Sequence, residues 1–201
     1  MTGIIDYGCG NMFSLVSSLK KVGENVEIFN NKEGLYRCDR IILPGVGAFG
    51  CAAEKLECSG LSSAVKELAG RGVPLLGICL GMQLLFEKSS EYGEHRGLSL
   101  LCGSVGKIDC EQAGLKLPHM GWNSLRFKKK SGLFRYVEEG EYVYFVHSYH
   151  AENCSDSVIA TVGYGTEICA AAGMENVCGT QFHPEKSGDT GLRILKAFTE
   201  M

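Results

Sequence analysis

In the first ninety residues, short apolar runs alternate with stretches whose apolar residues recur every three or four positions. Gly3-Ile4-Ile5-Asp6, Val26-Glu27-Ile28-Phe29, Arg40-Ile41-Ile42-Leu43 and Val73–Ile78 are of the first kind. Such runs fit strands, and the last suits a strand buried on both faces. The second kind predicts helices. Phe13, Leu15, Val16, Leu19 and Val22 form one stripe, opened by Asn11 as N-cap and stopped by Gly23. Further helical stretches begin near Cys51, cover Leu61–Leu68, and run from Leu80 to Glu87. This β-α-β-α order predicts a parallel sheet with right-handed crossovers.

Beyond residue 100 the helical period disappears. Tyr142–Val146 alternates aromatic and aliphatic residues, as a strand does. Ser157–Val162, Glu167–Ala172 and Val177–Phe182 read as three more strands, with turns at Gly163, Gly165 and Gly173. A helix over Thr190–Phe198 closes the chain. No repeat or low-complexity linker interrupts it. The expectation is a single α/β domain over residues 1–201. Its doubly wound, mostly parallel sheet is extended and decorated by antiparallel or mixed strands in the second half.

Composition narrows the possible functions. A chain of 201 residues with 45% hydrophobic and 21% charged positions can bury a substantial core, about 70% of the surface exposed when unfolded. A net charge of −3 leaves no basic footprint for nucleic acid. The one basic run, Lys128-Lys129-Lys130, reads as a solvated loop. No apolar run reaches the ~18–20 residues that span a bilayer. The start, MTGIIDYGCGN, lacks the basic and apolar regions of a signal peptide, so a cytoplasmic location is expected. There the ten cysteines would stay reduced. No C-x-x-C occurs, so no metal site is expected, and most of these thiols read as small buried apolar residues.

One cysteine has a special setting. Gly77-Ile78-Cys79-Leu80-Gly81 lies between a buried strand and a helix, the context of a nucleophile elbow. In so sharp a turn, a Cβ two residues before or after the nucleophile would clash. Taken alone, the motif fits a buried structural thiol as well as a nucleophile. A nucleophilic thiol needs a base, and the base an orienting group. Of five histidines, His183 stands after an apolar strand in Gln181-Phe182-His183-Pro184-Glu185. Pro184 favours an extended His183, which would set His183 and Glu185 side by side. Pro44-Gly45-Val46-Gly47-Ala48-Phe49 follows another strand and can offer backbone N–H groups, with that of Leu80, as an oxyanion hole. It lacks the Gly-Lys-Ser/Thr of a phosphate loop. Gln83 is one helical turn from Cys79 and either binds substrate or caps backbone groups. His147-Ser148-Tyr149-His150 ends a strand and either lines the same mouth or forms a surface turn.

With these residues in place, the chain resembles the class I triad glutamine amidotransferases. Gly77–Gln83 and Gln181–Glu185 carry that likeness. Asp6-Tyr7-Gly8-Cys9-Gly10-Asn11, Pro44–Phe49, Pro118-His119-Met120-Gly121-Trp122-Asn123, Phe145–Tyr149 and His183–Ser187 occur in matching order. They make the likeness closer to the glutaminase subunits of imidazole glycerol phosphate synthases, over residues 3 to 198. The resemblance implies a flavodoxin-like fold and hydrolysis of glutamine without metal or organic cofactor. Cys79 would be nucleophile, His183 its base, and Glu185 the orienter. Val46, Gly47 and Leu80 would hold the oxyanion. Gly45, Gly47, Gln83, Ser148 and Tyr149 match positions around glutamine. The implied partner is a barrel-shaped cyclase subunit in a heterodimer, which uses the ammonia in histidine biosynthesis. Asn11, Trp122 and Lys186 match its interface, although Trp122, the sole tryptophan, equally suits a core. Cys9 receives no catalytic role.

A paralogue feeding ammonia to another synthase, such as one that amidates a nucleotide sugar, would carry nearly the same motifs. A cysteine peptidase on the same fold would act on peptides without a partner. A non-catalytic binding subunit would have no use for an intact Cys79–His183–Glu185 set.

Overall fold

The computed structural model describes residues 1–110 and 113–201. The chain first runs through β1 (Thr2–Ile5), α1 (Met12–Lys21), β2 (Val26–Phe29), α2 (Lys32–Leu35), β3 (Arg40–Gly45), α3 (Phe49–Cys58), α4 (Leu61–Gly70), β4 (Leu75–Cys79) and α5 (Leu80–Leu84). Strands then predominate: β5 (Lys88–Ser89), β6 (His95–Arg96), β7 (Ser104–Lys107), β8 (His119–Ser124), β9 (Arg126–Phe127), β10 (Tyr142–His147), β11 (Tyr149–Glu152), β12 (Val158–Tyr164), β13 (Thr166–Met174) and β14 (Val177–Thr180). Short 3₁₀ turns cover Gly132–Phe134 and Pro184–Lys186, and α6 (Gly188–Thr199) ends the fold.

Eight strands form the central sheet in the order β2-β1-β3-β4-β14-β13-β12-β9. From β2 to β14 neighbours are parallel; from β14 to β9 they are antiparallel. The apolar runs explain the parallel part. Ile5, Ile41, Leu43 and Leu75 face one side, where Leu56, Leu61, Val65 and Leu68 of α3 and α4 cover them. Ile4, Ile42, Leu76 and Ile78 face the other, under Leu15 and Leu19 of α1 and Ile194, Leu195 and Phe198 of α6. Both faces are thus sealed, as a parallel sheet requires. Among the described residues, no helix is long and apolar enough to cross a membrane.

The second half departs from expectation in its sheets. β10 does not extend the central sheet; it pairs with β8 in a separate antiparallel ribbon. β11, β7, β5 and β6 form a third sheet. The helix expected over Leu80–Glu87 ends at Leu84. Beyond it the carbonyls of Leu84 and Glu87 accept from Leu98 and Gly97 N–H groups, so this stretch folds onto a returning loop. Phe13, placed on the apolar stripe of α1, points outward and is 85% exposed, while Leu15 and Leu19 carry the packing. The Lys128 ammonium is paired with Glu167 at 2.7 Å.

Candidate active site

The end of β4 places Cys79. Its φ of 56° and ψ of −110° are a conformation that L-residues with side chains seldom adopt, and the sharp turn into α5 imposes it. A Cβ on Gly77 would lie 2.7 Å from the Gly81 carbonyl oxygen and from Met82 N. A Cβ on Gly81 would run into the Leu43 carbonyl of β3. Both glycines are therefore sterically required, the second by the neighbouring strand. Cys79 itself is 7% exposed.

His183 comes from the loop after β14, which lies beside β4. His183 Nδ1 is 2.7 Å from Glu185 Oε1. This pairing was expected of an extended segment. Only His183 is extended; Pro184–Lys186 turn as a 3₁₀ element and bring the carboxylate back. With Nδ1 engaged, Nε2 is the nitrogen left to hydrogen-bond the Cys79 thiol. Burial alone would pull His183 down. The hydrogen bonds and charges of Cys79 and Glu185 outweigh it and push the imidazole up to about 9. The imidazole is thus held as a cation against the sulphur. Among the described residues Glu185 Oε2 is buried without a hydrogen-bond partner, and the carboxylate's hydrogen bond goes to His183.

These groups open into a cleft of about 330 Å³. Val46, Gly47 and Leu80 border it on one side, and Ser148, Tyr149, Gln83 and Lys186 on others. Gly47 has a φ of +101°, which suits only glycine well. Gly45 does not line the cleft. It lies beside Cys79 in the β3–β4 register, packed against Gly81 N and the Tyr7 hydroxyl. Of the three expected interface residues, Lys186 reaches the cleft. Trp122 stands 55% exposed on β8, edge-on to Tyr144 at 6.1 Å, which settles its place outside the core. Asn11 is exposed before α1, and its side chain makes no capping hydrogen bond.

Of the two alternatives for His147, Ser148 and Tyr149, lining the mouth holds, whereas sequence reasoning missed Gln181, His119 and Glu91 as site residues. Gln181 donates from Nε2 toward Cys79 Sγ at 3.8 Å, and its Oε1 accepts from Gln83 Nε2 at 3.0 Å. Gln83 Nε2 also donates to the Tyr149 carbonyl at 2.9 Å. His147 and His119 form a buried pair, Nε2 to Nδ1, at 3.0 Å. Burial pulls His147 down to about 3 and His119 to about 4, so both are neutral near pH 7. Glu91 also borders the cleft, where its carboxylate accepts from Phe49 N at the start of α3. A signal existed for Gln181: it stands two residues before His183 at a strand end, where that spacing shares a face.

Comparison with known proteins agrees with this geometry. A family model described as "Glutamine amidotransferase class-I" matches residues 3–201. The chain is 51% identical over 204 residues to the imidazole glycerol phosphate synthase subunit HisH of Wolinella succinogenes, covering 100% of both chains. It is 47% identical to the protein of the same name from Sulfurimonas denitrificans, covering 100% of this chain and 98% of that one. Among solved structures, a glutamine amidotransferase superposes with a TM-score of 0.76 at 19% identity, covering 98% of each chain. PurLQS from Thermotoga maritima gives 0.76 at 19%, covering 99% of this chain and 97% of that one. A cysteine held in a strained strand-to-helix turn, a carboxylate-bound imidazolium beside it and a full-length match leave one assignment: the chain belongs to the class-I glutamine amidotransferases.

Proposed function

We propose that the chain hydrolyses glutamine to glutamate and ammonia and delivers the ammonia to a cyclase subunit that makes imidazole glycerol phosphate. The observation that carries this reading is the Cys79–His183–Glu185 line, opening into a cleft of single-amino-acid scale. The Cys79 sulphur attacks the side-chain amide carbon. The developing oxyanion sits against the backbone N–H groups of Leu80, Val46 and Gly47. The His183 imidazolium then gives its proton to the departing nitrogen, which leaves as ammonia, and a thioester remains. Water, deprotonated by the now neutral His183, attacks the thioester; glutamate leaves and the sulphur regains its partner. Glu185 fixes the imidazole and stabilises its cationic form. Gln83, Ser148, Tyr149 and Gly47 surround the bound glutamine, with Gly45 supporting the turn behind them.

Ammonia released into water near pH 7 is mostly protonated and lost as a nucleophile. A partner sealing the cleft avoids this. The relatives are named as subunits of imidazole glycerol phosphate synthase, which supports a cyclase subunit as that partner; we take it to be barrel-shaped and the assembly to be a heterodimer. Its product pair would be imidazole glycerol phosphate and aminoimidazole carboxamide ribotide, in histidine biosynthesis. Asn11, Trp122 and Lys186 belong to the docking face, and residues 1–201 act as one domain. The test is glutamate release from glutamine by the chain alone and with the cyclase subunit. Turnover should be slow alone, rise strongly with partner and cyclase ligand, and vanish in Cys79→Ala. Appreciable hydrolysis by Cys79→Ala would overturn the mechanism.

A further inference from the structure

Four polar side chains converge behind the cleft, and all are nearly sealed from water. Gln181 is 0% exposed, His119 3%, Gln83 4% and His147 6%. Buried polar groups persist where they are hydrogen-bonded, and here the bonds run in one continuous chain. Its polarity follows from a single atom. The Tyr149 carbonyl oxygen can only accept, and two donors meet there, Gln83 Nε2 at 2.9 Å and His147 Nδ1 at 2.9 Å.

Each donor fixes an arm. On one side, the Gln83 NH2 spends its second hydrogen on Gln181 Oε1. The Gln181 NH2 must then face the other way, toward Cys79 Sγ. Turning the Gln83 amide over would set its oxygen against the Tyr149 carbonyl, lone pair to lone pair. The Gln83 oxygen is therefore the atom left free for a ligand. On the other side, a hydrogen on His147 Nδ1 makes Nε2 an acceptor for His119 Nδ1–H. His119 Nε2 then accepts from Asn123 Nδ2 at 3.3 Å, whose second hydrogen goes to the Gly163 carbonyl. Both imidazoles are neutral in this arrangement, and each of their ring nitrogens is hydrogen-bonded.

We infer that Gln181 and the His119–His147 pair are positioning residues for glutamine turnover: Gln181 aims an N–H at the Cys79 sulphur, and the histidines hold the Tyr149 carbonyl that locks Gln83 in one orientation. The inference rests on the proposed glutaminase activity, and a purely structural role would be served as well by apolar side chains. The two arms predict different defects. Gln181 acts on the sulphur, so its loss falls on kcat. His147 acts on the substrate-facing amide, so its loss falls on KM.

The test uses the full chain with its cyclase partner for turnover, and the full chain alone for alkylation of Cys79 by iodoacetamide, read on the Cys79 peptide by mass spectrometry. Gln181→Met keeps the volume and removes both the donor to Cys79 and one acceptor for Gln83, whose orientation the Tyr149 carbonyl still holds. It should lower kcat about 10- to 100-fold with KM nearly unchanged, the range for a hydrogen bond to a charged group. Cys79 alkylation at neutral pH should slow in parallel. His147→Leu should raise KM about tenfold for one lost hydrogen bond, and His147→Asn, whose NH2 reaches the place of Nδ1–H, should recover most of that. If Gln181→Met does not fold, Gln181→Leu, which is uncharged and also has no donor, serves the same purpose. Wild-type kcat and alkylation in the Gln181 variant, or a His147→Asn no better than His147→Leu, would overturn the inference. A wild-type chain that hydrolyses no glutamine, yet loses Cys79 reactivity in Gln181→Met, would refute the glutaminase reading and leave the positioning intact.

Discussion

The Glu185 carboxylate does two things for His183. It takes the Nδ1 hydrogen at 2.7 Å, which leaves Nε2 for Cys79, and it sets a negative charge directly against the ring. Replacing it by glutamine keeps the shape and removes the charge. Glu185→Gln should lose about 10²- to 10⁴-fold in kcat, the usual range for a general acid–base step. The sign of the pH effect follows from the raised imidazole. Burial opposes the cation, and Cys79 and Glu185 together carry it up to about 9. If the cation is the working form, activity falls as pH rises through that value. With one of its two supports gone, the alkaline limb of the rate profile should move to lower pH. A limb that stays where it is in Glu185→Gln would show that the charge is not what holds the proton.

At the scale of elements, β3, β4 and the start of α5 act as one unit, because the turn at Cys79 packs Gly81 onto the Leu43 carbonyl. Gly81→Ala should cost about 1–3 kcal/mol or more, since backbone rather than a flexible side chain must yield. In a chain of this size that lowers the melting temperature by several degrees. Gly70, at the end of α4, has open space around its missing Cβ and no left-handed φ. Gly70→Ala should be neutral or raise the melting temperature slightly. Equal melting curves for the two variants would remove the steric argument for the elbow. The elbow was legible in sequence because it is local: strand, glycine, cysteine, glycine and helix follow one another within a few residues. The parallel strands were legible because burial on both faces leaves continuous apolar runs. β5, β6 and β9 were not, being only two residues long. β7 and β8 take their pairing from strands far along the chain, β11 and β10. β10 is legible as a strand but not in its sheet, since its alternation says nothing about its partner, β8. For the same reason the roles of His119 and His147 were hidden: both depend on the carbonyl of Tyr149, a residue of β11.

Across the whole molecule, burial holds three histidines neutral: His147 near 3, His119 near 4 and His150 near 4. In the unfolded chain each would titrate near 6.5. Below that value the unfolded state binds more protons than the folded one, so folding stability falls as pH drops from about 6.5 toward 4 and 3. Each imidazole held neutral contributes a slope of about 1.4 kcal/mol per pH unit in that window. Urea unfolding between pH 7 and 4.5 should therefore show a steep loss, shallower in His147→Asn; an unchanged slope in that variant would argue against a neutral buried imidazole. The β8–β10 ribbon stands apart from the central sheet and exposes Trp122. Because that indole is the only one in 201 residues, all tryptophan emission from this chain originates on one outward strand beside the cleft. The molecule thus carries its own optical probe: a subunit seated on the ribbon would dehydrate the indole and shift its fluorescence to the blue, so docking can be titrated without a label.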